Sequence, residues 1–171
     1  MIHKNSGSVK IWWGFLKTAI LALLIYILFN TVLNDQQIEK IIIKPGYTWT
    51  GVVGGFLAFS AAIFAIFINW MTTDFGDYLH WKKVDRFYKR AFILPVILNL
   101  ITLMLVIATI VYEAITLTKI TFAMLIYSVV NLISLVMNAY DLLNLHQSFR
   151  KIKITEVALM VSQNNGDPSG N

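Results

Sequence analysis

Long uncharged segments alternate with short polar segments along this chain. Four stretches contain no charged residue and are dominated by apolar side chains: 18–34, 45–73, 91–112 and 120–140. An α-helix of roughly 20 apolar residues crosses a bilayer. A membrane β-barrel would instead alternate polar and apolar residues, so the pattern predicts helices. The predicted spans are about 11–33, 49–71, 91–112 and 120–140.

The segments between these stretches predict how the spans are connected. Residues 34–48 are expected to form an external loop on the membrane surface, ending in a Pro-Gly turn. The connection between the third and fourth spans is so short that these two helices are predicted to be antiparallel neighbours. Helical spacing continues at 77–90 and 141–161, which we expect to be cytoplasmic extensions. A disordered tail is predicted at 162–171, after a single domain at 1–161.

Composition and charge indicate the class of protein and its orientation. With 57% hydrophobic and 13% charged residues, the chain is too apolar for a soluble domain. Of its 14 Lys and Arg residues, only Lys40, Lys44 and Lys119 lie outside the first, middle and last polar segments. Loops rich in Lys and Arg stay in the cytoplasm. We therefore expect an all-α polytopic membrane protein, a four-helix transmembrane bundle with both termini cytoplasmic.

Small or polar residues recur every three or four positions along the second predicted span. They are Gly51, Gly55, Ala58, Ala62, Ala65 and Asn69, and we call them the small-residue seam. This spacing places them on one helix face, and small side chains let helices pack closely in lipid. The seam is expected either to pack against the first or third span or to join copies of the chain into a homo-oligomer.

A second face, on the fourth predicted span, carries polar side chains at helical spacing. The intramembrane polar stripe comprises Ser128, Asn131, Ser134, Asn138 and Asp141, with Asn99 and Thr102 of the third span as facing groups. Amides exposed to lipid lack hydrogen-bond partners, so the stripe should face the bundle interior or another subunit. It either holds helices together or lines a water-filled pathway. Because the spans contain no ionisable residue at depth, coupled transport is disfavoured.

No pattern in the chain indicates catalysis. There is no Cys, the three His residues are not spaced with carboxylates as a metal site requires, and no phosphate-binding loop is present. We expect no enzymatic activity, catalytic residue, metal or cofactor.

Basic and aromatic residues cluster instead where the spans leave the membrane on the predicted cytoplasmic side. They are Trp81, Lys82, Lys83, Arg86, Phe87, Tyr88, Lys89, Arg90, Arg150, Lys151 and Lys153. This position favours membrane lipids or a cytoplasmic protein as partners, rather than direct contact with nucleic acid.

The layout of four spans, cytoplasmic ends, a basic segment between the second and third spans and a short tail resembles the membrane subunit of the Kiwa bacterial phage-defence system. The resemblance covers 11–161 and rests on this layout, so no functional residue is transferred. It implies a homo-oligomeric, multi-pass sensor in the bacterial inner membrane that works with a cytoplasmic DNA-binding subunit. Other small four-span families, including phage-exclusion ion channels, share the outline.

Two functions therefore remain open on the sequence. In the first, the protein is a membrane sensor or scaffold that assembles through the small-residue seam and recruits a cytoplasmic partner through its basic surface. In the second, it is a small pore-forming or ion-channel effector whose polar stripe lines the pore. Asn131→Leu and Asn138→Leu should abolish conductance under the second hypothesis and leave assembly intact.

Overall fold

A computed structural model describes the backbone of residues 6–164 and the side chains of residues 16–159. All regular elements in this part of the chain are α-helices. They are α1 (Ser6–Val32), α2 (Asp35–Ile42), α3 (Gly46–Met71), α4 (Asp74–Trp81), α5 (Asp85–Tyr112) and α6 (Ile115–Asn164). The prediction of an all-α protein is confirmed. Of the predicted tail, 162–164 belong to the end of α6 and 165–171 lie outside the described residues.

Three helices, α3, α5 and α6, are long and apolar enough to cross a membrane. A fourth candidate is the pair formed by Leu16–Val32 and α2, whose axes differ by 116°. The chain is thus consistent with a membrane-spanning protein of three or four spans. Because α2 turns away from α1, residues 35–42 form a separate short helix where the sequence predicted a surface loop.

The helices pack so that α5 lies between α3 and α6, and α6 in turn contacts α1. One core cluster, at the end that carries α4, includes Phe67, Phe92 and Leu135 from the three central helices. A second cluster, at the other end, joins Ile38 of α2 to Val53 and Val106. An apolar cleft of about 250 Å³, lined by side chains that include Ile25, Phe56 and Phe122, lies between α1, α3 and α6.

Local polar contacts position α2 at the end opposite α4. The backbone N–H of Gln37 donates to Asn34 Oδ1, and the backbone N–H of Asn34 donates to Gln37 Oε1, both at 2.9 Å. This reciprocal pair is a capping box. The Trp49 indole donates to the Ile41 carbonyl at 2.7 Å, and Lys119 Nζ lies 2.8 Å from Asp35 Oδ1. These contacts tie the α1–α2 corner to α3 and α6.

The segment 77–90 was predicted to be one continuous helical extension, and the structure differs. It is divided between α4 and α5, because the chain turns at 82–84, where Lys83 adopts a left-handed conformation with φ 58°. A Cβ on Gly76 would lie 2.3 Å from the Met71 carbonyl oxygen, so α4 approaches the end of α3 more closely than any other residue type allows. The other predicted extension, 141–161, does continue the fourth span as part of α6.

Candidate interaction site

Hydroxyl groups connect α5 to α6 at two levels. Thr109 Oγ1 lies 2.7 Å from Thr121 Oγ1, and Thr102 Oγ1 lies 2.9 Å from Ser128 Oγ. All four side chains are buried. The two pairs follow one antiparallel register, since the residue numbers in each pair have the same sum. In this register, position 99 of α5 is opposite position 131 of α6.

A third polar contact links α5 to α3. Asn99 Nδ2 donates to Ser60 Oγ at 3.0 Å and lies 3.4 Å from the Phe56 carbonyl oxygen. Asn99 is 1% exposed, and its Oδ1 atom has no hydrogen-bond partner within the described part of the chain. Asn131, at the same level of the register, is 4% exposed.

Burial of the predicted polar stripe therefore decreases along the helix, from Ser128 to Asp141. Its first part, Ser128 and Asn131, is buried together with the facing residues Asn99 and Thr102. Ser134 and Asn138 are half-buried, and Asp141 is exposed. The sequence did not single out Ser60, Thr109 or Thr121. Their buried hydroxyls extend the contacts to α3 and toward the turn between α5 and α6, where Glu113 adopts a left-handed conformation with φ 48°.

The small-residue seam lies on the opposite side of α3 from its packed face. Its six residues, Gly51, Gly55, Ala58, Ala62, Ala65 and Asn69, are all exposed. The buried positions Val53, Ser60 and Phe67 lie roughly 180° away around the helix at 3.6 residues per turn. A Cβ added at Gly51 or Gly55 would meet no atom within 4 Å. The expectation that the seam packs against the first or third span is wrong for the single chain.

The predicted docking residues divide into an exposed group and two side chains that pack in the core. Tyr88 is buried in the core cluster, and Phe87 is half-buried and packs against that cluster. The remaining members are exposed: Trp81, Lys82, Lys83, Arg86, Lys89, Arg90, Arg150, Lys151 and Lys153. Lys82 Nζ lies 4.7 Å from the centre of the Trp81 ring, which is within the range of a cation–π contact. We call this exposed group the basic surface.

Aromatic side chains hold α4 against α3 and α6 beside this surface. Phe75 is 1% exposed and makes an edge contact with Trp70, at 5.8 Å between ring centres. Phe149 of α6 lies 5.7 Å from Phe75 and 5.2 Å from Tyr78. Phe149 belongs to the predicted helical extension 141–161, and nothing in the sequence indicated that α4 would cover it.

Ionisable groups in this region are paired across elements. The Lys153 ammonium donates to the Asp74 carboxylate, and this contact holds the pKa of Asp74 below its ordinary value. His80 Nδ1 lies 3.4 Å from Asp85 Oδ2 across the turn between α4 and α5. Among the described residues, no group of three or more His, Asp or Glu side chains is placed to hold a metal ion.

No protein-family model, curated protein or solved structure matches this chain. The interaction surfaces are therefore defined by their geometry alone: an exposed small-residue seam along α3, buried polar contacts between the central helices, and a basic surface around α4 and the end of α6.

Proposed function

We propose that the protein is an oligomeric membrane sensor or scaffold that recruits a cytoplasmic partner. The observation that carries the proposal is the exposure of the whole small-residue seam on α3. In lipid, close approach through small residues drives helix association, because apolar side chains gain nothing by leaving a solvent that is equally apolar. The seam has no partner helix within the described part of the chain, so a second copy is the occupant that we infer.

The basic surface supplies the recruiting function. Its charges lie in the turn between α4 and α5, at the start of α5 and on the outer part of α6, at the end that the sequence predicts to be cytoplasmic. Trp81 is 71% exposed beside Lys82, which combines an aromatic anchor with positive charge. Aromatic and Arg side chains are enriched among the residues that dominate protein interfaces. An acidic protein surface would fit this combination.

The polar stripe favours this function over the pore-forming alternative. Two of its members are bonded to each other in the chain interior, Thr102 to Ser128, and a third, Asn99, is bonded to Ser60. A pore would require these groups to face water, and it would break contacts that hold the helices together. The stripe is better explained by hydrogen bonding between helices.

The biological setting follows from the resemblance to the Kiwa membrane subunit. We propose antiphage defence at the bacterial inner membrane, with a cytoplasmic DNA-binding subunit as the recruited partner and no direct nucleic-acid contact by this chain. A gene for a soluble nucleic-acid-binding protein next to the gene for this chain would support that setting.

The assembly is tested by two neighbouring substitutions on α3. Ala62 lies at the centre of the seam, whereas Ala61 is also exposed but points roughly 100° away around the helix. Ala62→Leu should weaken self-association by about 1–3 kcal/mol, which is at least fivefold, because the larger side chain separates the packed helices. Ala61→Leu should have little effect. Energy transfer between labelled copies in vesicles measures both.

A monomeric native protein, or equal loss of association in the two variants, would contradict the assembly. Both changes add the same apolar volume to the same helix, so membrane insertion and helix propensity are matched between them.

Recruitment is tested by charge reversal of Lys82, Lys83, Arg86 and Arg90, all exposed. The reversed variant should lose a soluble protein that co-purifies with the native chain from its own host, because the attraction between the surfaces becomes repulsion. Because Lys and Arg residues also set the orientation of the chain, the loss counts only if protease protection shows that the reversed variant inserts as the native chain does. If no soluble protein co-purifies with the native chain, the recruiting function is wrong.

A further inference from the structure

A groove opens between the end of α3, the start of α4 and the outer part of α6. Its volume is about 670 Å³, and its lining mixes aromatic and charged side chains. His146, Arg150 and Lys153 enter it from α6, and Trp70 and Asp74 face them from α3 and α4. The residues from α6 follow one another at spacings of four and three, so they share one face of that helix.

The imidazole of His146 is part of the lining of the groove. It stacks on the indole of Trp70, with 4.7 Å between ring centres and 9° between the planes. Phe75 meets the same imidazole edge-on, at 4.8 Å. The ring is thus held between two aromatic side chains from different elements. Trp70 and Phe75 line the groove together with His146.

The groove lies at the level where the apolar helices give way to charge. Trp70 is near the end of the uncharged stretch of α3, and Asp74 is the first charged residue after it. One turn earlier on α3, Phe67 packs against Phe92 of α5, at 5.1 Å between ring centres, just inside Arg90. Trp and Tyr rings occupy the headgroup level of a bilayer. We therefore expect the groove to lie at the membrane–water interface.

Charge in the groove is unevenly balanced. Lys153 is bonded to Asp74, whereas Arg150 is exposed and takes part in none of the ion pairs of the described residues. A guanidinium presents several donors in one plane and matches two oxygens of a phosphate. Two cations face one carboxylate, so the groove attracts an anion.

We propose that this groove binds the phosphate-bearing headgroup of an anionic phospholipid. Arg150 donates to the phosphate oxygens, Lys153 adds a second positive charge, and the acyl chains lie in the bilayer along the apolar helices. The Asp74 carboxylate competes with the phosphate for the Lys153 ammonium. This site goes beyond the proposed scaffold function, because it concerns a lipid. It uses Arg150 and Lys153 of the basic surface, whereas recruitment of a protein is assigned to the members at 81–90, none of which lines the groove.

Titration of phosphatidylglycerol into the purified chain in detergent, followed by native mass spectrometry, measures the affinity. Phosphatidylcholine serves as the neutral lipid. Arg150→Gln should weaken phosphatidylglycerol binding about fivefold, because one cation near anionic lipid contributes about 1 kcal/mol. Lys151→Gln is the matched control. It removes the adjacent exposed charge, which points roughly 100° away from Arg150 and does not line the groove.

Asp74→Asn should change the affinity for phosphatidylglycerol in the opposite direction. A gain in affinity cannot result from misfolding. Removing the competing carboxylate should tighten phosphatidylglycerol binding about fivefold by the same reasoning. Equal loss in Arg150→Gln and Lys151→Gln, equal affinity for phosphatidylcholine, or no gain in Asp74→Asn would overturn the site. If inorganic phosphate displaces the lipid at equal concentration, the groove binds a free anion, and the proposal of a phospholipid ligand is overturned.

Discussion

Single hydroxyl groups, rather than charges, carry the polar contacts between α5 and α6. Thr102 and Ser128 lie 2.9 Å apart and both are buried. We predict that Thr102→Val and Ser128→Ala will each destabilise the chain and will couple by about 0.6 kcal/mol, the mean value for hydrogen bonds between helices in membranes. A double-mutant cycle in mixed micelles, monitored by unfolding in dodecyl sulfate, measures the coupling energy.

The control cycle pairs Thr102→Val with Thr109→Val, two residues on α5 that are not bonded to each other. Their effects should add. Coupling in the control as large as in the bonded pair would contradict a direct contact between Thr102 and Ser128.

Part of this polar network could be predicted from single residues and part could not. Asn99 and Thr102 were expected to face α6, because the short hairpin brings polar positions on the two helices to the same level. Thr102 does bond to Ser128 of α6, whereas Asn99 donates to Ser60 of α3 instead. Ser60 and Thr109 were not expected, since a lone hydroxyl on a helix is satisfied by its own backbone. Both hydroxyls indeed donate to the carbonyl four residues earlier, Ser60 to Phe56 and Thr109 to Leu105. Only packing reveals their second contact.

At the scale of elements, the turn between α3 and α4 depends on one glycine. A Cβ at position 76 would lie within 3 Å of three backbone atoms of Met71, which cannot move without moving the helix. We predict that Gly76→Ala will destabilise the chain by about 1–3 kcal/mol, as overpacking does in other cores. Unfolding in mixed micelles measures the change.

Gly54→Ala is the control for this prediction, because a Cβ there meets nothing within 4 Å. This change should be neutral or stabilising by up to about 1 kcal/mol, since Ala favours the helix over Gly. A similar loss of stability in both variants would show that the close approach at Gly76 is not the cause.

The same turn explains why 77–90 was predicted as one helix. Apolar residues keep helical spacing through Val84, Phe87 and Ala91, and Lys82, Lys83 and Arg86 fill the other face. No Gly or Pro marks the break. The chain turns through a left-handed Lys83 because Phe75 and Leu79 are buried against α3 and α6, and a straight α4–α5 helix would expose them. Tertiary burial overrides a local pattern here.

At the scale of the whole molecule, the periodicity of α3 reveals two faces but not which one is covered. Small residues occupy one face, and Val53, Ser60 and Phe67 occupy the other. Either could pack against α5. Contacts with α5 determine which face of α3 is covered, because Asn99 donates to the Ser60 hydroxyl and Phe92 packs on Phe67. The sequence of α3 alone contains neither requirement, so the exposed seam emerges only from the assembled chain.

The number and direction of the spans are open to a direct test because the chain has no Cys. We predict that an impermeant maleimide will label Gln36→Cys in intact spheroplasts of an expressing bacterium. Thr155→Cys and Ser8→Cys should react only after permeabilisation. This follows because 11 of the 14 Lys and Arg residues lie in the three polar segments that are predicted to be on the side of the termini. All three changes replace a neutral residue and leave that charge distribution intact.

Ser8→Cys decides whether the α1–α2 pair contains a span. Because α3, α5 and α6 separate positions 36 and 155, these two should label from opposite sides whether α1 crosses the membrane or lies along its surface. If α1 crosses, Ser8→Cys labels together with Thr155→Cys, and the chain has four spans. If Ser8→Cys instead reacts in intact spheroplasts together with Gln36→Cys, the 116° bend marks an interfacial helix pair, and the molecule has three spans.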